Sequence, residues 1–155
     1  MPEEISAVIK RFQLWAYTGS PLLHDEAITD TPWEELVRLC IFADQYGIPD
    51  LQNSVIDILV AKEQALSIIP IGHLRLIYDN TTFASPLRRL IVDLSAQEGS
   101  LDKWFVPPIP AIYPQDFLYD LALEVYKLRR GDSKDHNWKK LGCKYHVHPS
   151  TTPAK

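Results

Sequence analysis

The sequence predicts a single domain with an all-α or mostly α fold, and three observations lead to that expectation. Six segments place apolar residues at three- and four-residue steps, the spacing that puts side chains on one face of a helix. Proline and glycine residues stand between those segments, where helices begin or end. The chain has 155 residues, which is the length of one domain and enough to bury a core.

The clearest predicted helix covers residues 31–46. Thr31 is its predicted N-cap, Pro32 takes the first helical position, and Glu34 completes a Thr-x-x-Glu capping box. So much of this helix is apolar that we expect it to be buried on several sides. Its apolar residues are Trp33, Leu36, Val37, Cys40, Ala43 and Tyr46, with Leu39, Ile41 and Phe42 widening the face.

A second helix follows at once, and the two form a predicted helical hairpin. Gly47 can adopt the left-handed conformation that closes a helix, and Ile48-Pro49 does not easily continue one. The chain therefore turns, and the next helix is predicted to begin at Pro49. Its inward residues are Leu51, Val55, Ile58 and Leu59.

Four further helices are predicted over residues 2–17, 73–78, 85–96 and 114–128 from the same spacing. Their inward residues, in chain order, are Ile5, Val8, Ile9, Phe12 and Ala16; Leu74, Ile77 and Tyr78; Leu87, Leu90, Ile91 and Leu94; and Phe117, Leu118, Leu121, Ala122, Val125 and Leu128.

The predicted helix over residues 85–96 has a clear start and two basic residues outside its apolar stripe. Ser85 is a favourable N-cap, and Pro86 suits the first helical position. Arg88 and Arg89 fall off the stripe, so we expect both to be solvated surface charges.

Composition indicates an ordinary soluble protein, with 46% hydrophobic and 23% charged residues. Its two cysteines, Cys40 and Cys143, provide no disulfide framework, and Cys40 lies on a predicted buried face, which suits a reducing compartment. No run of apolar residues is long enough for a membrane span, and the acidic N-terminus does not have the form of a signal peptide. We therefore expect a cytoplasmic or nuclear protein with no membrane partner.

Charge is distributed unevenly along the chain. Residues 1–126 contain 8 basic and 18 acidic side chains, whereas residues 127–155 contain 8 basic and 2 acidic ones. A basic tail can contact nucleic acid. Acidic residues, Gly and Asn interrupt this one, which favours a solvated tail or one that folds back on the acidic body.

Several runs of residues resemble a known family. Phe12-x-x-Trp15-x-Tyr17-Thr18-Gly19 is followed by Trp33-Glu34-x-Leu36-Val37, by Phe42-Ala43-Asp44-x-Tyr46-x-Ile48-Pro49-x-Leu51 and by Ser85-Pro86-Leu87-Arg88-Arg89-Leu90. In this order they resemble the C-terminal half of the BTB/POZ domain, as it occurs in BTB proteins of filamentous fungi. The resemblance covers roughly residues 5–95.

This resemblance implies a partial BTB/POZ fold followed by an additional helical region. Residues 1–66 would be the C-terminal half of the domain, residues 67–128 a helical extension and residues 129–155 a polar basic tail. The extension contains a Pro-rich connector at 107–114, expected to pack along the body rather than to serve as a ligand for an aromatic groove. In the family a three-stranded sheet precedes this half. The sheet-bearing N-terminal half is thus expected to be absent here, which leaves one face of the first helix and of helix 33–46 uncovered.

These features favour a protein–protein interaction module that acts by self-association or by adaptor-type recruitment. One alternative is a regulatory protein that contacts nucleic acid through its basic tail. Another is a substrate adaptor of a cullin-type ubiquitin ligase, although Leu23-His24-Asp25 departs from the apolar-x-Glu motif that the resemblance leads us to expect. The candidate interaction residues are Phe12, Trp15, Tyr17, Trp33, Leu36, Phe42, Tyr46, Ile48, Pro49 and Leu51.

The tail contains three potential zinc ligands, Cys143, His146 and His148. In an extended segment the two histidines would project to the same side, and a fourth ligand would come from His136, His24 or His73. The spacing matches no common zinc module, so a structured tail without metal is the favoured interpretation, and no cofactor is expected.

Catalysis is not expected, because the sequence has no Gly-rich phosphate loop and no Gly-x-Ser-x-Gly elbow. Paired carboxylates at Asp25-Glu26 and Glu34-Glu35 fall in a predicted loop and in a first helical turn. Capping and the helix dipole explain acidic residues at such positions.

Overall fold

The computed structural model describes residues 3–97, 112–131 and 144–148, and every regular element within them is a helix. The all-α prediction is therefore confirmed for these residues. None of the helices described has the length and apolar character needed to cross a bilayer. In chain order they are α1 (Glu3–Thr18), α2 (Trp33–Gln45), α3 (Pro49–Leu66), α4 (Leu74–Asn80, preceded by the 3-10 turn Ile71–His73), α5 (Pro86–Gln97) and α6 (Gln115–Arg130).

The core is centred on the predicted hairpin of α2 and α3. Helix α2 contacts α1, α3 and α4, and its apolar residues are buried around most of its circumference, as the sequence predicts. Gly47 closes α2 with a left-handed φ of +63°, and α3 begins at Pro49. The buried residues of the hairpin are Leu36, Val37, Leu39, Cys40, Ile41 and Ala43 in α2, and Leu51, Val55, Ile56 and Leu59 in α3.

The predicted capping box at the start of α2 is wrong. Pro32 occupies the N-cap position with an extended ψ of 135°, and no side chain caps the helix. The Thr31 hydroxyl instead donates a hydrogen bond to the Glu26 carboxylate at 2.8 Å. Glu34 pairs with Arg38 one turn along the helix. The extended Pro32 places Thr31 one residue too early to cap the helix, so its hydroxyl stabilises the preceding loop.

A second pair of helices, α5 and α6, packs beside α4, which contacts both of them and also α2. The Tyr78 ring of α4 meets Phe117 of α6 edge to face, with their centroids 5.8 Å apart. The Tyr78 hydroxyl donates to Asp120 at 2.9 Å. Ser85 precedes α5 as expected, but its hydroxyl is buried and has no hydrogen-bond partner among the described residues.

The prediction of a solvated Arg88 is wrong, whereas Arg89 is exposed as expected. The Arg88 guanidinium lies 4.2 Å from the centroid of the Tyr78 ring. It donates to the carbonyl oxygens of Tyr78 and Thr81 and to the Thr81 hydroxyl. Because the last carbonyl groups of a helix have no partners within it, Arg88 supplies the donors that the end of α4 requires.

Four other residues predicted to face inward are exposed. Ile5 and Ala16 lie on the open side of α1, and Ala122 lies on the solvent side of α6. Tyr46 follows the last turn of α2 and is 69% exposed. A helix that contacts the body along a narrow strip covers fewer positions than its apolar periodicity suggests.

The Pro-rich connector and the tail lie largely outside the described residues. Residues 107–111 of the connector are among those not described. Pro114, the last proline of the connector, has an extended backbone with φ −60° and ψ 145° and stands immediately before α6. This proline is therefore the N-cap residue of α6, and the helix itself begins at the next residue.

Replacing Arg88 with methionine is expected to lower the free energy of unfolding by roughly 2–4 kcal/mol, because buried carbonyl groups lose charged donors. Arg89→Met, at the adjacent exposed position, is the matched control and should change it by less than about 0.5 kcal/mol. Urea unfolding followed by circular dichroism measures both variants. Equal effects from the two would show that the Arg88 contacts do not stabilise the fold.

Candidate interaction surface

Helix α1 is covered on one side only, and its main contact is with α2. Within residues 5–18 only Val8 is buried, although this part of the helix carries six other apolar side chains larger than alanine. Ile5 is 47% exposed at one end, and Tyr17 is 90% exposed at the other. The face predicted to be uncovered is therefore partly open in the structure.

Four aromatic side chains form a continuous row across the junction of α1 and α2. The ring centroids of Phe12 and Trp15 are 6.3 Å apart, and those of Phe12 and Phe42 are 5.4 Å apart. Phe42 in turn lies 4.5 Å from Tyr46. The first three rings are half-buried, and Tyr46 is the exposed end. We call Phe12, Trp15, Phe42 and Tyr46 the aromatic row.

An apolar groove with a volume of about 430 Å³ lies beside the aromatic row, between α1, α2 and α4. Its polar residues are Arg38, Gln45 and Asn80. Arg38 is paired with Glu34, and the Gln45 side chain donates to the Asn80 carbonyl oxygen at 3.5 Å. The apolar lining consists of Ile5, Val8, Ile9, Ile41, Phe42, Tyr46 and Leu76. We call the aromatic row and this groove together the α1–α2 face.

A second groove, of about 800 Å³, lies on the opposite side of α1. The exposed side chains of Tyr17 and Leu23 stand at it, and Lys10 and Glu35 bring charge to it. Its lining combines apolar side chains with small and polar ones such as Ser6 and Gln13. It does not include the aromatic row.

Arg11 fixes the position of α1 relative to α2 and to the loop that joins them. Its guanidinium donates to both carboxylate oxygens of Glu26, at 2.8 and 3.1 Å, and to Glu35 at 2.6 Å. It also donates to the Pro21 carbonyl oxygen at 3.1 Å. One cation therefore holds three segments together, which sets the register of the aromatic row.

Glu26 is the acidic partner on which this network depends. Besides Arg11, its carboxylate accepts hydrogen bonds from the Leu23 amide and the Thr31 hydroxyl. The Arg11 hydrogen bonds are the largest influence, and they lower the pKa of Glu26 to about 2. A carboxylate with this many donors remains ionised far below neutral pH.

Lys62 ties the same loop to α3 from the other side. The side chain is buried, and its ammonium donates to the carbonyl oxygens of Ile28 and Thr29 at 3.0 and 2.6 Å. The ammonium also lies 5.1 Å from the centroid of the Trp33 ring. Trp33 therefore packs with Lys62 where that side chain holds the loop, at what we call the loop anchor, and it does not belong to the aromatic row.

The candidate interaction residues separate into three groups. Leu36 and Leu51 are core residues. The aromatic row unites four of the others, all on the α1–α2 face. The remaining four do not join it: Tyr17 beside the second groove, Trp33 at the loop anchor, and Ile48 and Pro49 at the half-buried corner between α2 and α3.

The described part of the tail packs on the body. Tyr145 is buried and donates from its hydroxyl to Asp93 at 2.8 Å, and the Lys144 ammonium lies 2.7 Å from the same carboxylate. The His146 Nε2 atom lies 2.7 Å from the Asp57 Oδ1 atom. Part of the basic tail therefore does fold back on the acidic body.

The structure describes only some of the residues named in the zinc hypothesis. Cys143 and His136 lie outside the described residues. The rings of His146 and His148 are 6.2 Å apart, and His146 pairs with a carboxylate. In the described ranges no three histidine, cysteine or acidic side chains are arranged to hold a metal ion.

The buried titratable groups of the described residues serve the fold. Complete burial raises the pKa of the Cys40 thiol, so it does not form the thiolate that a nucleophile requires. Burial and the neighbouring acidic side chains Asp120 and Asp93 raise the pKa values of Tyr78 and Tyr145. These hydroxyls therefore act as hydrogen-bond donors at physiological pH.

No family model, curated protein or solved structure matches the chain. Membership of the BTB/POZ family therefore stays a prediction from the sequence motifs.

Lowering the pH is expected to destabilise the wild-type protein more than a Glu26→Gln variant between about pH 4.5 and about pH 2. The pKa of Glu26 is lower in the folded than in the unfolded chain, so its stabilising effect is complete above the unfolded value. That effect is lost as the pH falls through the folded value. Thermal unfolding midpoints over this range provide the measurement.

Glu34→Gln is the control for this prediction, because the Glu34 carboxylate forms a more exposed pair with Arg38 within one helix. Its unfolding midpoint should follow that of the wild type across the pH range. A difference between wild type and Glu26→Gln that is the same at neutral pH and near pH 2 would refute the role given to Glu26.

Proposed function

We propose that the protein is a non-catalytic protein–protein interaction module and that its α1–α2 face binds the same face of a second copy. The observation that carries this proposal is the aromatic row, which reaches the surface beside an apolar groove on a helix covered on one side only. Aromatic side chains at the edge of a groove are typical anchors of protein interfaces.

A symmetric dimer suits this face because it offers both a projection and a recess. In a two-fold interface the same patch is used by both copies, so a side chain that projects from one can enter a groove of the other. Tyr46 and Ile5 project, being 69% and 47% exposed, and the groove lies between them. Each copy would thereby cover the open side of α1 in its partner.

Charge does not oppose the same choice of partner. The formal net charge of the chain is −4, so two copies repel each other weakly at long range. On the α1–α2 face, however, Arg38 is already paired with Glu34 at 2.8 Å. Two such faces can meet without bringing unpaired like charges together.

Adaptor-type recruitment of another protein, a cullin scaffold included, would instead use the exposed region beside the second groove, where Leu23 stands. The segment Leu23-His24-Asp25 is exposed at the surface. Nucleic-acid binding through the tail is the less favoured alternative, because the Lys144 ammonium is already engaged by Asp93. We place the protein in the cytoplasm or nucleus, in keeping with a buried free thiol at Cys40.

Light scattering on a size-exclusion column, over a wide range of protein concentration, tests the proposal. The wild-type chain is expected to form dimers as concentration rises. Tyr46→Ala should weaken the dimer by about tenfold or more, since an aromatic anchor at an interface commonly contributes about 2 kcal/mol. Phe83→Ala is the matched control, because Phe83 is 87% exposed and lies outside the α1–α2 face.

Circular dichroism should show the same helical content in both variants, so that a change in dimerisation reports the surface alone. A wild-type chain that remains monomeric up to about millimolar concentration, where even weak specific contacts associate, would end the self-association proposal. A dimer that Tyr46→Ala leaves unchanged would place the interface elsewhere.

A salt titration separates the nucleic-acid alternative. Binding of labelled DNA or RNA through several lysines and arginines would fall steeply as salt rises, because each phosphate contact releases a counterion. Dimerisation through the apolar α1–α2 face should depend little on salt.

A further inference from the structure

The described tail segment, residues 144–148, lies across two parts of the molecule that are otherwise joined mainly through α4. Asn53 and Asp57 stand on α3, in the hairpin with α2, whereas Asp93 stands on α5, in the pair with α6. The segment contacts all three side chains. We call Asn53, Asp57 and Asp93 the tail site.

Asn53 binds the tail through its backbone. The Asn53 side chain donates to the Val147 carbonyl oxygen at 3.0 Å, and the Val147 amide donates to the Asn53 side-chain oxygen at 2.7 Å. This pair of hydrogen bonds is what a neighbouring strand would offer to one residue of an extended chain. Such a contact requires an extended backbone and is indifferent to the side chain of the residue bound.

The two carboxylates add selectivity for side chains. Asp93 accepts from the Tyr145 hydroxyl at 2.8 Å and pairs with the Lys144 ammonium at 2.7 Å. Asp57, one turn of α3 beyond Asn53, contacts His146 at 2.7 Å. A site with one buried phenol pocket and two acidic ends selects a Lys-Tyr-His sequence, which here begins in a turn at Lys144 and Tyr145.

We infer that the tail site is a binding site for peptides of the Lys-Tyr-His type, filled in cis by residues 144–148 and open in trans to the same segment of a second copy. The contacts that the described residues make with the segment are non-covalent and come from Asn53, Asp57 and Asp93. A second copy therefore brings an identical set of partners.

For the segment of one copy to bind the tail site of another, it must displace the segment that belongs to that second copy. A short linker gives the attached segment an effective concentration in the millimolar range, so a second copy competes poorly while the cis segment is intact. Charge favours occupation in either mode, because residues 1–126 carry 18 acidic and 8 basic side chains and the tail is basic. Weakening the segment in one copy should therefore open its site to another.

A complementation experiment with two full-length variants tests this directly. Tyr145→Ala disables the segment and leaves the site intact, whereas Asn53→Ala/Asp57→Ala/Asp93→Ala disables the site and leaves the segment intact. An equimolar mixture is expected to contain a heterodimer that neither variant forms alone, detected by native mass spectrometry with one chain isotope-labelled. Absence of a species specific to the mixture would overturn the inference.

Tyr46→Ala is added to both variants to make this result independent of the proposed α1–α2 dimer. With the α1–α2 face intact, the two variants would also form a mixed dimer through it; at a concentration where Tyr46→Ala prevents that dimer, only exchange of the tail gives a species specific to the mixture. Failure of that dimer would leave the exchange intact, and failure of the exchange would leave that dimer intact.

Peptide binding provides the second measurement, should Tyr145→Ala fail to fold. Lys144→Ala/His146→Ala removes the side-chain contacts with Asp93 and Asp57 and leaves the buried Tyr145 in place. This full-length variant should bind a fluorescent KYHVH peptide on the order of tenfold more tightly than the wild type, since its own segment competes less well. A KFHVH peptide, which lacks the hydroxyl for Asp93, is expected to bind more weakly than KYHVH. Equal binding of KYHVH by variant and wild type would contradict the inference.

Discussion

The burial of α2 is the constraint on which the rest of the structure depends. A helix that is apolar around most of its circumference must be covered on several sides, and α1, α3 and α4 supply that cover. Because α3 provides most of the contact, α1 is left as a helix that adds one further layer without being enclosed itself. The open side of α1 follows from this arrangement, and the aromatic row reaches the surface at Tyr46, after the last turn of α2.

Three buried or half-buried cations connect this core to the segments around it. Arg11 holds the loop before α2, Lys62 holds the same loop from α3, and Arg88 satisfies the end of α4. In each case at least one acceptor is a backbone carbonyl group that no helix satisfies. A long cationic side chain can reach such a group while its aliphatic part packs against the core. These cations thus allow irregular segments to lie against a small helical body.

The two surfaces proposed to act in recognition differ in chemistry. The α1–α2 face is aromatic and apolar, so its contacts gain most from the exclusion of water. The tail site is polar, combines an amide with two carboxylates and binds a backbone as well as side chains. A partner that fits one of these surfaces has no chemical reason to fit the other.

Much of the fold was predictable from the residues alone. Apolar periodicity and the positions of proline and glycine indicated every described helix, including the corner at Gly47 and Pro49. The burial of Lys62 was not predicted, although its position in the sequence indicates it. Lys62 comes three residues after Leu59 and seven after Val55, which places it on the buried face of α3. A charged residue at such a position usually has partners that compensate for its burial.

What the sequence by itself determined was the identity of the helices and the burial of α2 and α3, because helix formation and amphipathic pattern depend on neighbours a few residues apart. The aromatic row, the burial of Arg88 and the tail site were decided only by tertiary structure. Each joins residues that are distant along the chain, such as Phe12 with Phe42 and Asn53 with Val147. Local periodicity carries no information about which helix faces meet, so those contacts appear only once the helices are packed.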